Sequence, residues 1–178
     1  MRFASLIPLL ISSTKAFTIP EGQPDGVYQV TKDANGTEIH TLLGELEEFE
    51  SGSAHHGRRA VSASEAAGTV ICGGYQLPHG DADAAWTSLG NMCGNGAHVL
   101  ARGDVYALSN CVVAYFCNQG DHAVYCFSSD KDQGVRDITN SCGSYWSGWE
   151  FTHPPTGQVQ VGYEDVCGAG KNFCGHEN

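Results

Sequence analysis

All eight cysteines of this 178-residue chain fall between positions 72 and 174. Cys72, Cys93, Cys111, Cys117, Cys126, Cys142, Cys167 and Cys174 form an even set in a short stretch, the pattern of a disulfide framework made in an oxidising compartment. Eight cysteines allow 105 pairings, and spacing does not choose among them. A zinc site would call for Cys-x2-Cys or close Cys/His spacing. The nearest pairs, Cys111/Cys117 and Cys167/Cys174, do not supply it, and Cys174-Gly175-His176 is too little to build on. Neither a metal nor a cofactor is expected.

The N-terminus agrees with that compartment. Arg2 precedes a short apolar run, Phe3 to Ile11, and Thr14-Lys15-Ala16 puts small residues at −3 and −1 of a cut after Ala16. Residues 1–16 therefore read as a secretory signal peptide. The run is too short for a membrane anchor, which needs about 20 apolar residues. A secreted, extracellular protein without a membrane span is expected.

Residues 17–59 contain no cysteine. Val27–Val30 and Glu38–Leu43 read as two short strands around Asp33-Ala34-Asn35-Gly36, a turn whose Asn-Gly tolerates positive φ. Asn35-Gly36-Thr37 is also a glycosylation sequon. Glu45–Glu50 is acidic, and Ser51–Ala67 is small, polar and rich in breakers, a composition that buries too little surface to offset chain entropy. Arg58-Arg59 lies within it as a dibasic processing site. Residues 17–59 are read as an acidic pro-segment and residues 60–178 as a cysteine-rich domain.

The formal charge is −11, and beyond Arg59 four bases face twelve acids, a net of −8. Such a chain lacks the basic footprint that grips phosphate backbones, so tight nucleic-acid binding is not expected.

Within the domain, Val70–Cys72 reads as a strand and Asp81–Met92 as a helix, capped by Asp81 or Asp83 and stopped by Gly94-Asn95-Gly96. Ala85, Leu89 and Met92 give it an apolar face, with Trp86 beside them. Cys111–Cys117 reads as a buried strand and Ala123–Phe127 as its hairpin partner. A second helix is predicted from about Asp132 to Ser141, and Gln158–Glu164 alternates like a half-buried strand. The fold class is α+β: a small disulfide-stapled α/β sandwich, an antiparallel sheet with two helices on one face.

Four segments carry a resemblance: Met92-Cys93-Gly94-Asn95-Gly96 after a helix, strand Val112–Tyr115, Asp137–Gly143 ending a second helix, and strand Gly157–Tyr163. In order and spacing the chain resembles killer toxins of the smut-virus type and related fungal secreted effectors, over about Cys72 to Tyr163. The resemblance implies an α/β sandwich without catalytic apparatus, a toxin or effector that acts by binding a host or competitor target. The toxin has a basic stretch where this chain has Ala97–Asn110, which holds only Arg102 and His98, opposed by Asp104. Channel blocking by a basic loop is therefore not expected.

No nucleophile elbow, His-Glu-x-x-His or phosphate loop occurs, and no catalytic residue is assigned. A secreted ribonuclease would draw on His79, His98, His122 or His153 for acid or base, Glu150 or Glu164 as carboxylate, and Arg102 or Arg136 for phosphate. No spacing singles these out. Asp130, Asp132 and Asp137 lack the ordering of a calcium loop. Tyr145, Trp146, Trp149 and Phe151 surround Ser147-Gly148, and such rings either pack on the sheet or stack on a sugar or protein partner. Tyr145, Trp146, Trp149 and Arg102 are the candidate binding residues. The partner is expected to be an extracellular or host protein; an antimicrobial or cell-wall glycan-binding protein is the first alternative and the small secreted ribonuclease the second.

Overall fold

The computed structural model describes residues 17–46, 68–152 and 158–175. The signal peptide, Arg58-Arg59 and His153 lie outside the described residues.

The elements run in chain order. β1 (Phe17–Thr18), β2 (Gly26–Lys32) and β3 (Glu38–Gly44) come first, then β4 (Thr69–Gln76) and α1 (His79–Cys93). β5 (Ala97–Val99), β6 (Asp104–Ser109), β7 (Val112–Asn118) and β8 (Val124–Cys126) lead to α2 (Ser128–Cys142). β9 (Trp146–Thr152), β10 (Val159–Asp165) and β11 (Asn172–Phe173) complete the chain. Seven strands make one sheet in the order β3-β2-β6-β7-β10-β9-β4, every pair antiparallel. Two short ribbons, β1-β11 and β5-β8, stand apart from it.

Period-2 alternation sends side chains to opposite faces. Val105, Ala107, Val112, Ala114, Phe116, Val159 and Val161 pack in one cluster with Ala82, Ala85 and Leu89 of α1 and Ile138 of α2. Both helices thus cover one face, as expected. Tyr28, Val30, Tyr106, Leu108, Val113 and Tyr115 point the other way, into a cluster with Phe17, Ile19 and Phe173. Phe17 stacks on Tyr106, with centroids 5.0 Å apart and planes at 15°, and Tyr106 stacks in turn on Tyr28 at 5.1 Å. The β1-β11 ribbon is therefore the lid of a second, aromatic layer.

That layer explains β10. The strand is buried along both faces rather than half-buried. Its polar residues Gln160 and Glu164 lie under the ribbon side and need partners there. The Tyr115 phenol donates to Glu164 Oε1 at 2.6 Å, and Gln160 Nε2 approaches the same phenol oxygen at 3.4 Å. Gln119 Nε2 donates to Gln160 Oε1 and to the Cys174 carbonyl, both at 2.9 Å. Gly162 leaves room for this network, because a Cβ there would come 2.6 Å from the Tyr115 oxygen and 2.7 Å from Trp149 Cβ.

The cysteines pair as Cys72–Cys142, Cys93–Cys126, Cys111–Cys167 and Cys117–Cys174, and none is free. Sequence separations of 33 to 70 residues give each bridge about 4 kcal/mol in the chain-entropy account.

Residues 17–44 share one sheet with the cysteine-rich part, since β2 is an inner strand hydrogen-bonded to both β3 and β6, and Phe17 is fully buried. Three expectations change. Ala123–Phe127 does not pair with Cys111–Cys117. β7 already has β6 and β10 on its two edges, and the Cys93–Cys126 bridge holds β8 against β5 near the end of α1. Neither Asp81 nor Asp83 caps α1, which begins at His79 behind Pro78 with Asp81 in its first turn. α2 begins at Ser128, where the Phe127 N–H donates to Asp130 Oδ2 at 3.0 Å, and it runs to Cys142.

Phe17→Ala should lower unfolding stability by about 3–5 kcal/mol in urea titrations, although no bridge touches residues 17–44. Gly162→Ala should cost about 1–3 kcal/mol by crowding the Tyr115 phenol.

Candidate functional site

α1 and α2 lie side by side on the sheet, and a pocket opens beside them. Ala82, Asp83 and Trp86 of α1, Val135 and Thr139 of α2, Ser144 and Tyr145 after α2, and Tyr163 of β10 line it, around about 220 Å³. The helical spacing of Asp83 and Trp86, i and i+3, puts a carboxylate and an indole on one side of α1. The Trp86 and Tyr163 rings stand 5.3 Å apart with planes at 61°, so they make two walls of different orientation.

Tyr145 forms a third wall, and its position is strongly determined. Its φ is +59°, a left-handed conformation uncommon for a residue with a side chain, and its carbonyl accepts from Leu77 N at 2.8 Å. The ring stacks on His79 at 3.8 Å between centroids, and its hydroxyl lies 3.2 and 3.3 Å from the two Asp83 oxygens. The hydrogen bond to the Asp83 carboxylate pushes the Tyr145 phenol above its usual pKa, so it stays a neutral donor. Burial pushes the Tyr163 phenol up, partly offset by a hydrogen bond with Thr139. The Cys72–Cys142 bridge anchors the end of α2 two residues before Ser144.

Of the aromatic residues singled out in sequence, only Tyr145 reaches this pocket. Trp146 is 39 % exposed and lies beside Gly143, whose added Cβ would meet its ring at 3.0 Å. Trp149 packs against the aromatic layer on the opposite face, and Phe151 is buried. Arg102 donates through Nε and Nη2 to Asp121 Oδ1, at 3.0 and 2.6 Å, and does not line the pocket. Trp86, Asp83 and Tyr163 were not read as site residues. The i, i+3 carboxylate–indole pair was the available signal.

The ribonuclease candidates are dispersed. Glu150 lies on the helix face of β9 opposite Val161, whereas Glu164 lies on the ribbon face against Tyr115. His79 stacks on Tyr145, His98 lies edge-on to Tyr125, and Arg136 donates to Gln133. His122 is exposed in the turn before β8. Asp132 pairs with Lys131 at 2.7 Å, and Asp137 accepts from Gln133. Among the described residues, two places bring cysteine sulfur and a carboxylate together, Asp104 with Cys117/Cys174 and Asp165 with Cys111/Cys167. In both, the sulfurs are spent in disulfides.

A second surface feature is the β5-β8 ribbon. Tyr125 (59 % exposed) lies 5.4 Å from the His98 ring and 6.4 Å from the Phe127 ring. Gly96 admits the Phe127 ring, which would lie 2.8 Å from a Cβ at that position.

Two buried carboxyls carry raised pKa values. Burial raises Glu150 foremost, with the Asp137 charge adding and the Gly68 N–H bond opposing. Burial raises Asp104 well above the usual range, against the pull of Lys32.

No family model, curated protein or solved structure matches the chain.

A carboxyl whose folded pKa is raised holds its proton longer in the folded state. Its contribution is most favourable in acid and is lost as pH rises from the unfolded pKa through the folded one. Asp104→Asn and Glu150→Gln should therefore stabilise the protein at pH 7 and make little difference below pH about 4, as read from chemical denaturation across pH.

Proposed function

We propose that this chain is a secreted, cysteine-rich effector or toxin-like protein that acts outside the cell by binding a target, with the pocket beside α1 and α2 as its contact. The pocket carries the reading. Three rings from α1, β10 and the connection after α2, a carboxylate and the hydroxyls of Thr139 and Ser144 converge on one concavity, the arrangement by which proteins hold and orient a bound group. The four closed bridges suit an oxidising extracellular compartment, and no described helix is long and apolar enough to cross a membrane. The resemblance to killer toxins and fungal effectors points the same way.

A second reading, binding to cell-wall glycan, draws on the exposed row His98, Tyr125 and Phe127, whose flat rings suit stacking on sugar faces.

Labelled protein should bind target cells saturably, and Tyr145→Ala should weaken that binding about tenfold or more, since buried aromatic anchors carry most of a binding energy. Saturable binding unchanged by Tyr145→Ala and Trp86→Ala would remove the pocket from the function. The glycan reading expects retention on insoluble chitin or β-glucan that a Tyr125→Ala/Phe127→Ala variant loses.

A further inference from the structure

We infer that the pocket takes a compact alkylated ammonium group, held against Trp86, Tyr145 and Tyr163 and balanced by Asp83. The inference rests on the pocket being the contact site and adds the chemistry of what enters it.

Size comes first. At about 220 Å³ the pocket is smaller than the roughly 300–1,000 Å³ of sites for drug-sized ligands, so one compact group fills it. Its shape then favours a rounded group over a flat one. The Trp86 and Tyr163 rings meet at 61°, and Tyr145 closes a further side. A flat ring can stack on only one of two walls so inclined, whereas a rounded alkylammonium presents methyl groups to both. Aromatic faces carry negative quadrupole charge and attract cations, and choline-type ligands are bound among aromatic rings.

The charges agree. Asp83 is exposed at the rim, and its partner, the Tyr145 phenol, is a neutral donor that leaves the carboxylate charge in place. The chain as a whole carries −11, which raises the local concentration of cations. The Trp86 indole already accepts one ammonium, with Lys131 Nζ 5.3 Å from its centroid. Asp132 lies 2.7 Å from that nitrogen and offsets its charge, so Lys131 repels a second cation only weakly. Ala82 and Val135 supply the remaining apolar contacts that methyl groups require.

The test compares choline with 3,3-dimethyl-1-butanol, which has the same shape without the charge, and with methyl β-glucoside. Each is titrated into the full disulfide-bonded protein while the Trp86 indole signals are followed by NMR. Choline should shift the Trp86 signals and bind about tenfold more tightly than the neutral alcohol, a difference of about 1.4 kcal/mol. Asp83→Asn should weaken choline about tenfold and leave the alcohol unchanged, with folding checked by circular dichroism. Co-sedimentation with phosphatidylcholine vesicles that free choline reverses would assign the source as a lipid headgroup. Choline binding without vesicle binding would assign a soluble ammonium compound. Equal affinity for choline and the alcohol, tighter binding of the glucoside, or no Trp86 shift with any probe would overturn the inference. Cell binding that still depended on Tyr145 in those cases would leave the proposed function standing.

Discussion

Burial of the β7-β10 pair on both faces is the constraint around which the molecule is arranged. Every residue of β7 is buried, and so is β10 up to Glu164. A sheet centre of this kind must be covered twice. The two helices cover one side with small and branched residues, Ala82, Ala85, Leu89 and Ile138. The other side is closed by Phe17 and Phe173 from the two ends of the described chain, over a layer of tyrosines. The polar side chains trapped beneath them have to satisfy one another, which Tyr115, Glu164, Gln160 and Gln119 do in one connected set. Replacing one member of such a set strands the rest in a dry environment.

Sequence pattern revealed the parts whose signal is local. Helical spacing at Ala85, Leu89 and Met92 located α1, the β-branched run at Val112–Tyr115 located β7, and Asn35-Gly36 located the turn between β2 and β3. The signals that failed were those that depend on distant chain. Gln158–Glu164 alternates polar and apolar as a half-exposed strand would, and only the ribbon laid over it makes Gln160 and Glu164 interior residues. Ala123–Phe127 has hairpin chemistry, but β7 has no free edge for it. The cysteine-free residues 17–59 give no sign of the stacking of Phe17 and Tyr28 on Tyr106, because covalent stapling marks a fold visibly in sequence and aromatic stacking does not. Trp149 and Tyr145 lie four residues apart and end on different sides of the sheet, a separation set by where β9 begins.

The pocket draws on the same division of labour. Asp83 and Trp86 ride on α1, Thr139 on α2 and Tyr163 on β10, so its walls are mounted on elements that the core holds fixed. Tyr145 comes, with Ser144, from the connection after α2, and it is restrained by His79, by Asp83 and by its own carbonyl's bond to Leu77. A concavity built this way is preorganised, and a ligand entering it loses little affinity to ordering the protein.

The pairing of the cysteines leaves strands β1 to β3 held to the remainder without a disulfide, by packing and by hydrogen bonds such as those of β2 with β6 and of His40 with Tyr106. A single peptide cut between Leu46 and Gly68 would therefore turn an intramolecular fold into a two-chain complex. Its integrity would then depend on protein concentration, as for any associating pair, and dilution would become a route to unfolding that the intact chain does not have.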